Sequence, residues 1–181
     1  MIVPDAMVKH RSAQARNRIL PLTAAASPDV TPAQRELWYW RRRLLFDSTL
    51  ASGAVYPRGA KRSYLRLPSR AGCEAWLICW PPGARSPLHD HGGASALATM
   101  LSGELHETLQ SPEDQRWSQR VWHAYEAIEL PADTRHEVWN ASDVTAYSLH
   151  VYAPRLASMT FYERLRDGEV LALRHERADQ W

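Results

Sequence analysis

The sequence is short of cysteine, of long hydrophobic runs and of net charge, and each shortage excludes a class of protein. Its 181 residues include two cysteines, Cys73 and Cys79, with no CxxC spacing, which excludes a disulfide framework, a zinc ribbon and a redox dithiol. We expect both thiols to be reduced in a cytoplasmic protein. No stretch approaches 18 consecutive apolar residues, so a membrane partner is not expected. A formal net charge of +2 is too small to indicate a polyanionic partner.

Two local segments need a separate interpretation. The first carries basic residues before a short apolar stretch, 19–26, which resembles a weak signal peptide but is interrupted by Pro21 and Thr23. We predict a flexible leader over 1–30 and a single domain over 31–181. The second is the basic run 41–43 after the aromatic run 38–40. Such runs can bind nucleic acid, but a solvated helix face with its aromatic side chains turned to the core is favoured.

A change of pattern near residue 60 predicts two kinds of structure. Thr31 and Pro32 are typical of a helix start, and apolar residues at helical spacing predict a helix over 32–49. From Ser63 onward, short β-branched and aromatic segments alternate with turn clusters, which indicates a sandwich or barrel over about 60–165. The predicted strands are 63–67, 74–80, 95–101, 104–109, 118–123, 126–130, 136–139, 144–152 and 160–164. The structure of the segment after Arg164 is left open.

Two histidines two residues apart are the first candidates for a functional site. His89 and His91 would lie on the same face of an extended segment, where their imidazoles are a natural pair of metal ligands. His136, 45 residues after His91, opens a later strand that a barrel would bring opposite the pair. Spacing alone leaves open that the three are unrelated. Poorer candidates, in the leader, in polar strands or in the tail, are His10, His106, His123 and His175.

The run 82–91, with the later Gly103 and His136, resembles the two-motif pattern of the cupin superfamily. The resemblance implies a mainly β protein, a cupin jelly-roll barrel with an N-terminal helical segment. Most cupins carry a glutamate shortly after the second histidine, but here the run 92–96 reads Gly-Gly-Ala-Ser-Ala. That absence resembles the thiol dioxygenases. The runs 78–80, 148–152 and 159–162 resemble cysteine dioxygenase, and the resemblance covers about residues 60–163.

This resemblance implies an enzyme that converts L-cysteine and dioxygen to cysteine sulfinic acid. His89, His91 and His136 would bind Fe(II), and open positions on the metal would take the thiol substrate and dioxygen. Three neutral imidazoles leave a divalent ion its full charge, which favours an anionic ligand such as a thiolate. Beyond the thiol and dioxygen we expect neither nucleic acid nor membrane as a partner, and we expect a monomer.

The resemblance also implies roles for residues around the metal. Ser148, His150 and Tyr152 would share one face of a strand and form a hydrogen-bonded chain that ends at the substrate. Alone, this pattern would fit a polar stripe on a half-exposed strand. Ala96 stands where mammalian members place a cysteine that crosslinks to the active-site tyrosine, so we expect an unmodified Tyr152, as in the bacterial branch.

A substrate carboxylate would need a cationic partner. The run Tyr64-Leu65-Arg66 resembles the Tyr-x-Arg of cysteine dioxygenases, whose arginine binds the carboxylate, and a planar guanidinium suits that pairing. Relatives that prefer 3-mercaptopropionate carry glutamine there, so Arg66 favours cysteine. Trp80 would line or back the pocket. The intervening loop is shorter than in mammalian members. Three other arginines therefore remain candidates for the carboxylate partner: Arg58, Arg62 and Arg70.

Three alternatives remain at this point. The protein could be a dioxygenase for another small thiol, such as 3-mercaptopropionate or cysteamine. It could be a non-catalytic metal-binding or ligand-binding cupin, because a fold alone decides no function. It could also be a cupin isomerase or sugar-binding protein, although three metal histidines would then be surplus.

Overall fold

The computed structural model describes residues 31–45, 59–67 and 72–177. Within these ranges the chain forms one helix and then strands throughout, so the predicted mainly β fold with an N-terminal helical segment is confirmed. The predicted leader and residues 46–49 of the predicted helix lie outside the described residues. The elements are α1 (Pro32–Leu45), β1 (Ser63–Leu67), β2 (Glu74–Trp80), β3 (Leu88–His89), β4 (Ser95–Ser102), β5 (Leu105–Gln110), β6 (Trp117–Trp122), β7 (Ala127–Leu130), β8 (Arg135–Trp139), β9 (Ala146–Ala153), β10 (Ser158–Arg164) and β11 (Val170–Arg177).

The strands form two antiparallel sheets. The first has the order β1-β2-β9-β4-β7, and the second has the order β11-β10-β3-β8-β5-β6. Apolar side chains of both sheets, including Trp80, Met100, Trp122 and Val138, meet in one buried cluster. The two sheets therefore enclose a common interior, as in a barrel.

The central strands of the first sheet, β2, β9 and β4, are buried on both faces. Strand β2 shows why, because alternate residues point to opposite faces: Ile78 and Trp80 belong to the interior cluster, whereas Leu77 and Cys79 belong to a second cluster. Leu37 of α1 and Leu149 of β9 lie in that second cluster, so the helix covers the outer face of this sheet. Cys73 and Cys79 are free thiols that are completely buried, as small apolar residues would be.

The start of α1 is the predicted one. The hydroxyl of Thr31 accepts a hydrogen bond from the backbone N–H of Gln34, whose side chain accepts one from the backbone N–H of Thr31. This reciprocal pair is a capping box. None of the helices in the described part of the chain is long and apolar enough to cross a bilayer.

Part of the aromatic and basic run of α1, residues 38–43, faces the first sheet. Trp38 and Trp40 pack against the outer cluster, and Trp38 donates its indole N–H to Glu129 at 2.8 Å. Arg41 donates to Thr99 at 2.7 Å, whereas Tyr39 is exposed. Half of this run, Trp38, Trp40 and Arg41, is therefore engaged with its own domain.

Two strands, β3 and β11, were not predicted from the sequence. β3 has two residues, too few for a pattern to reveal, but it lies between β10 and β8 and carries His89. β11 lies at the edge of the second sheet and pairs with β10 over residues that are mostly exposed, including Leu171 and Leu173. Since both of its faces are accessible, β11 lacks the alternation that would have predicted it.

Candidate metal centre and active site

The three predicted histidines meet inside the barrel. His89 on β3 pairs in register with His136 on β8, and His91 follows two residues after His89. All three are buried, and one potential ligand atom from each lies within 4.8 Å of the others. No carboxylate joins them among the residues that the structure describes.

Hydrogen bonds turn the imidazoles toward one another. His89 donates its Nδ1–H to the carbonyl oxygen of Pro87 at 2.8 Å, and His136 donates its Nδ1–H to Glu107 Oε1 at 2.6 Å. Each of these histidines can therefore offer its Nε2 to a metal. Burial, followed by the proximity of His136, holds the pKa of both His89 and His91 well below the usual value, so both are neutral ligands.

The spacing of the nitrogens fits a shared ion. The Nε2 atoms of His91 and His136 lie 3.3 Å apart. Two nitrogens bound to one ion at about 2.1 Å would lie about 3.0 Å apart at a right angle and about 3.4 Å apart at a tetrahedral angle. The three histidines thus fit a divalent transition metal.

The turn that carries His91 is fixed by its neighbours. Asp90 Oδ1 accepts hydrogen bonds from the backbone N–H groups of Gly92 and Thr160, each at 3.0 Å, and Oδ2 accepts one from Tyr162. Gly92 has a φ of 56°, and a Cβ there would lie 2.6 Å from the carbonyl oxygen of Ser158. Only glycine permits this approach, which holds the turn against β10.

A cavity of about 470 Å³ opens onto the histidines. Its wall is largely apolar and aromatic, as is usual for a small-molecule site. The lining residues are Arg62, Tyr64, Trp76, Ile78, Trp80, Ser86, Pro87, His89, His91, His136, Val138, His150, Tyr152, Leu156, Met159, Phe161 and Glu176.

A hydrogen-bonded chain runs along the cavity wall. Trp80 donates its indole N–H to Ser148 Oγ at 2.8 Å, and Ser148 Oγ lies 2.9 Å from His150 Nε2. His150 Nδ1 in turn lies 3.4 Å from the hydroxyl of Tyr152. The structure therefore brings together Trp80 and the three residues of the predicted stripe.

The direction of this chain follows from its donors. Burial, with the charge of His136, lowers the pKa of His150 to about 3, so the imidazole is neutral and one nitrogen must accept. Because Trp80 can only donate, the Ser148 proton goes to His150 Nε2, and Nδ1–H donates to Tyr152. Burial also raises the pKa of Tyr152, which stays a neutral phenol. Its own O–H proton is left to point into the cavity.

Arg66, the predicted carboxylate partner, does not line the cavity. Its guanidinium is half-exposed and donates to Glu74 at 3.1 Å. The rival Arg62, directly before β1, lines the cavity instead, with its guanidinium 5.0 Å from the centre of the Trp80 ring. Alternation keeps the two arginines on one face of this extended segment, but four residues separate them by about 13 Å.

Tyr64 lies between the two arginines along the chain. It lines the cavity as predicted, although 61% of its surface is exposed, and its ring meets Trp76 edge to face. The other two rivals, Arg58 and Arg70, lie outside the described residues.

Glu107 was not identified from the sequence as part of the site. It is completely buried on β5 behind His136. Burial raises its pKa, but hydrogen bonding and the charges of His136 and Arg120 outweigh this effect and lower the pKa overall. The sequence does carry one indication. Alternation places Glu107 on the same face as Leu105, and a carboxylate at an inward-facing position predicts that a hydrogen-bond donor is buried beside it.

Known proteins are similar to this chain both in sequence and in fold. The family described as cysteine dioxygenase type I matches residues 58–165, more than half of the chain. Cysteine dioxygenase type 1 of Bos taurus is 30% identical over 120 residues, which cover 60% of each chain, and that of Homo sapiens is 34% identical over 86 residues, which cover 43% of each. The chain thus matches less than two thirds of the length of these relatives.

Solved structures show the same barrel. An oxalate oxidase bound to the substrate analogue glycolate superposes with a TM-score of 0.54 at 20% identity, over 65% of this chain and 63% of that one. A protein of Thermus thermophilus superposes with a TM-score of 0.51 at 24% identity, over 59% of this chain and 94% of that one. The predicted cupin barrel is confirmed, and with the match over 58–165 the chain belongs to the cysteine dioxygenase type I family.

Proposed function

We propose that the protein is an iron-dependent thiol dioxygenase that converts L-cysteine and dioxygen to cysteine sulfinic acid. The observation that carries this proposal is a cavity with three metal-ligand histidines, a phenol aimed inward and one arginine, Arg62. Membership of the cysteine dioxygenase family supports the same reaction. The expectations of a monomer, of a cytoplasmic location and of no nucleic-acid or membrane partner stay predictions.

His89, His91 and His136 would hold the iron through their Nε2 atoms. Bound Fe(II) supplies the redox chemistry that dioxygen requires and lowers the pKa of a thiol that it binds. The sulfur of the substrate loses four electrons, and dioxygen gains four as both of its atoms bond to that sulfur. The thiol and dioxygen balance the sulfinic acid without a further reductant, so no second cofactor site is needed.

Arg62 is the side chain that we assign to the substrate carboxylate. Among the described residues it is the arginine that lines the cavity, and it lies near both Tyr64 and Tyr152. Burial lowers its pKa, but a guanidinium stays charged under all ordinary conditions. A carboxylate bound at Arg62 would hold the substrate in one orientation relative to the histidines.

Tyr152 would donate its free proton to the reacting groups. The centre of its ring lies 5.0 Å from that of His91, so the phenol lies beside the proposed metal site. Ser148 and His150 would act on the substrate only through Tyr152, by fixing the direction of its hydroxyl. Trp80 would fix Ser148 by donating its indole N–H to the hydroxyl, and its ring would pack beside Arg62.

The carboxylate assignment predicts substrate preference. We expect oxygen uptake with L-cysteine to exceed that with cysteamine, which lacks a carboxylate, by at least about tenfold in kcat/KM, since a charge-assisted hydrogen bond contributes about 1.5–3 kcal/mol. Comparison with 3-mercaptopropionate, which has a carboxylate but no amine, measures how much the amine contributes to kcat/KM. Equal turnover of cysteamine and L-cysteine would contradict a carboxylate partner in the cavity.

Removing the hydroxyl of Tyr152 tests its role. The Tyr152→Phe variant should bind iron with unchanged stoichiometry and turn over about 10- to 100-fold more slowly, because one hydrogen bond to a charged group is lost. Iron content by elemental analysis and steady-state oxygen uptake measure the two effects. As a matched control, Tyr39→Phe on the exposed face of α1 should change neither value. Loss of iron from Tyr152→Phe would mean that the tyrosine has a structural role.

A further inference from the structure

A buried carboxylate lies directly behind one of the metal-ligand histidines. Glu107 Oε1 accepts the Nδ1–H of His136 at 2.6 Å. Its Oε2 accepts the indole N–H of Trp122 at 2.9 Å and the Nε–H of Arg120. With three donors on two oxygens, the carboxylate cannot rotate away from His136.

Stability alone does not account for a carboxylate at this position. Glu107 faces the interior from β5, where its neighbour on the same face is the fully buried Leu105. Replacing a buried ion pair by apolar side chains of similar volume is often neutral or stabilising. A chain selected for packing alone would do as well with a hydrophobic residue here.

The metal site explains what the carboxylate adds. Imidazole ligands bring no negative charge to a metal, and no carboxylate joins the three histidines among the residues that the structure describes. A negative group that accepts the Nδ1–H of a ligand histidine makes its Nε2 a stronger donor and fixes its orientation. Arg120 opposes this effect, because its guanidinium lies on the other oxygen of Glu107.

We propose that Glu107 is a positioning residue for His136, and that it supplies from behind the ligand the negative charge that the three-histidine site lacks. Arg120 sets how much of that charge reaches the metal. Within the described residues, Arg120 Nη2 is buried without a hydrogen-bond partner, so the side chain is held mainly by its contact with Glu107 and by the ring of Trp122 at 6.0 Å. The inference rests on the metal site of the proposed function but not on its reaction.

The Glu107→Gln variant keeps the size of the side chain and an oxygen that can accept from His136, but it removes the charge. Its amide nitrogen, which cannot accept a hydrogen bond, then faces Trp122 and Arg120. We expect the full-length variant to bind Co(II), measured by competition with a chromophoric chelator, about 10- to 100-fold more weakly than the wild type. The midpoint potential of the iron-loaded form should rise, because less negative charge then stabilises Fe(III). The matched control is Glu137→Gln: Glu137 follows His136 on β8 but pairs with Arg85 on the opposite face. It should change neither value.

The Arg120→Met variant separates charge from packing. It keeps the apolar stem of the side chain and the contact between Glu107 and His136, but it removes the opposing charge. We therefore expect Co(II) to bind a few-fold more tightly and the midpoint potential to fall, the reverse of Glu107→Gln. If the two variants shift affinity in the same direction, or if Glu107→Gln stays within about twofold of the wild type, the proposal is wrong.

These readouts separate this inference from the proposed reaction. Wild-type protein that binds metal but oxidises no thiol would refute the dioxygenase and leave the Glu107 comparison intact. Circular dichroism of the metal-free variants shows whether each one folds. If Glu107→Gln does not fold, the sign of the Arg120→Met shift decides alone, because a purely structural contact predicts weaker binding.

Discussion

We expect the His136→Ala variant to lose its metal and its activity together. His136 supplies one of three ligands, and the other two histidines hold a metal poorly without it, so the affinity for Fe(II) should fall by at least about 100-fold, more than the loss of an outer hydrogen-bond partner costs. Iron content after anaerobic loading and oxygen uptake with L-cysteine measure both effects. Glu107 would lose one of its three donors, but the barrel should still fold, because His136 contributes little apolar area.

The matched control for this prediction is His106→Ala. His106 lies on β5, next to β8, and stacks on Trp139 away from the cavity. It should keep both iron and turnover. An iron-free His136→Ala variant that still oxidised L-cysteine at the wild-type rate would remove the basis of the proposed site.

The second large effect should come from Arg62. Replacing it with methionine should lower kcat/KM for L-cysteine by about 30- to 160-fold, because an unpaired carboxylate in a partly buried site costs about 2–3 kcal/mol. Turnover of cysteamine, which has no carboxylate, should change little. Iron content should be unchanged, since Arg62 is not one of the three metal ligands. Steady-state kinetics with both thiols measure the difference.

Arg66→Met is the control for this experiment. Arg66 lies on the same face of the same extended segment but donates to Glu74 outside the cavity, so kcat/KM for L-cysteine should stay within a few-fold of the wild type. The opposite pattern, a large loss with Arg66→Met and none with Arg62→Met, would restore the assignment that the sequence favoured.

The three histidines illustrate what the sequence could predict. Alternation along an extended segment places His89 and His91 together, and an antiparallel barrel brings a later strand such as β8 back beside them. The stripe of Ser148, His150 and Tyr152 follows from the same period of two. These relations depend on local geometry and strand order, which sequence patterns carry.

The arginine illustrates what the sequence could not predict. Arg62 and Arg66 lie on the same face of the segment that forms β1, so alternation cannot separate them. The register of β1 against β2 decides which one reaches the cavity, and Ser63 pairs with Cys79 in the structure. Register depends on the turn between strands, and a motif match carries no information on that turn, so the choice of Arg62 over Arg66 is a proposal.

Glu107 was missed for a different physical reason. A charged residue on a strand is usually solvated, and the sequence shows no sign of the indole and guanidinium that surround it. Arg120 and Trp122 lie on β6, and His136 lies on β8, so the donors come from both neighbours of β5. Only the sheet order shows that these side chains meet.

The measurement that tests the central claim most directly is mass spectrometry of the product formed from L-cysteine and ¹⁸O₂. The wild-type protein, loaded with Fe(II) under anaerobic conditions, should yield cysteine sulfinic acid that contains two atoms of oxygen-18. Both atoms must come from one dioxygen, because the thiol and dioxygen alone balance the product. Cystine, a product with a single labelled oxygen, or no product at all would contradict the account.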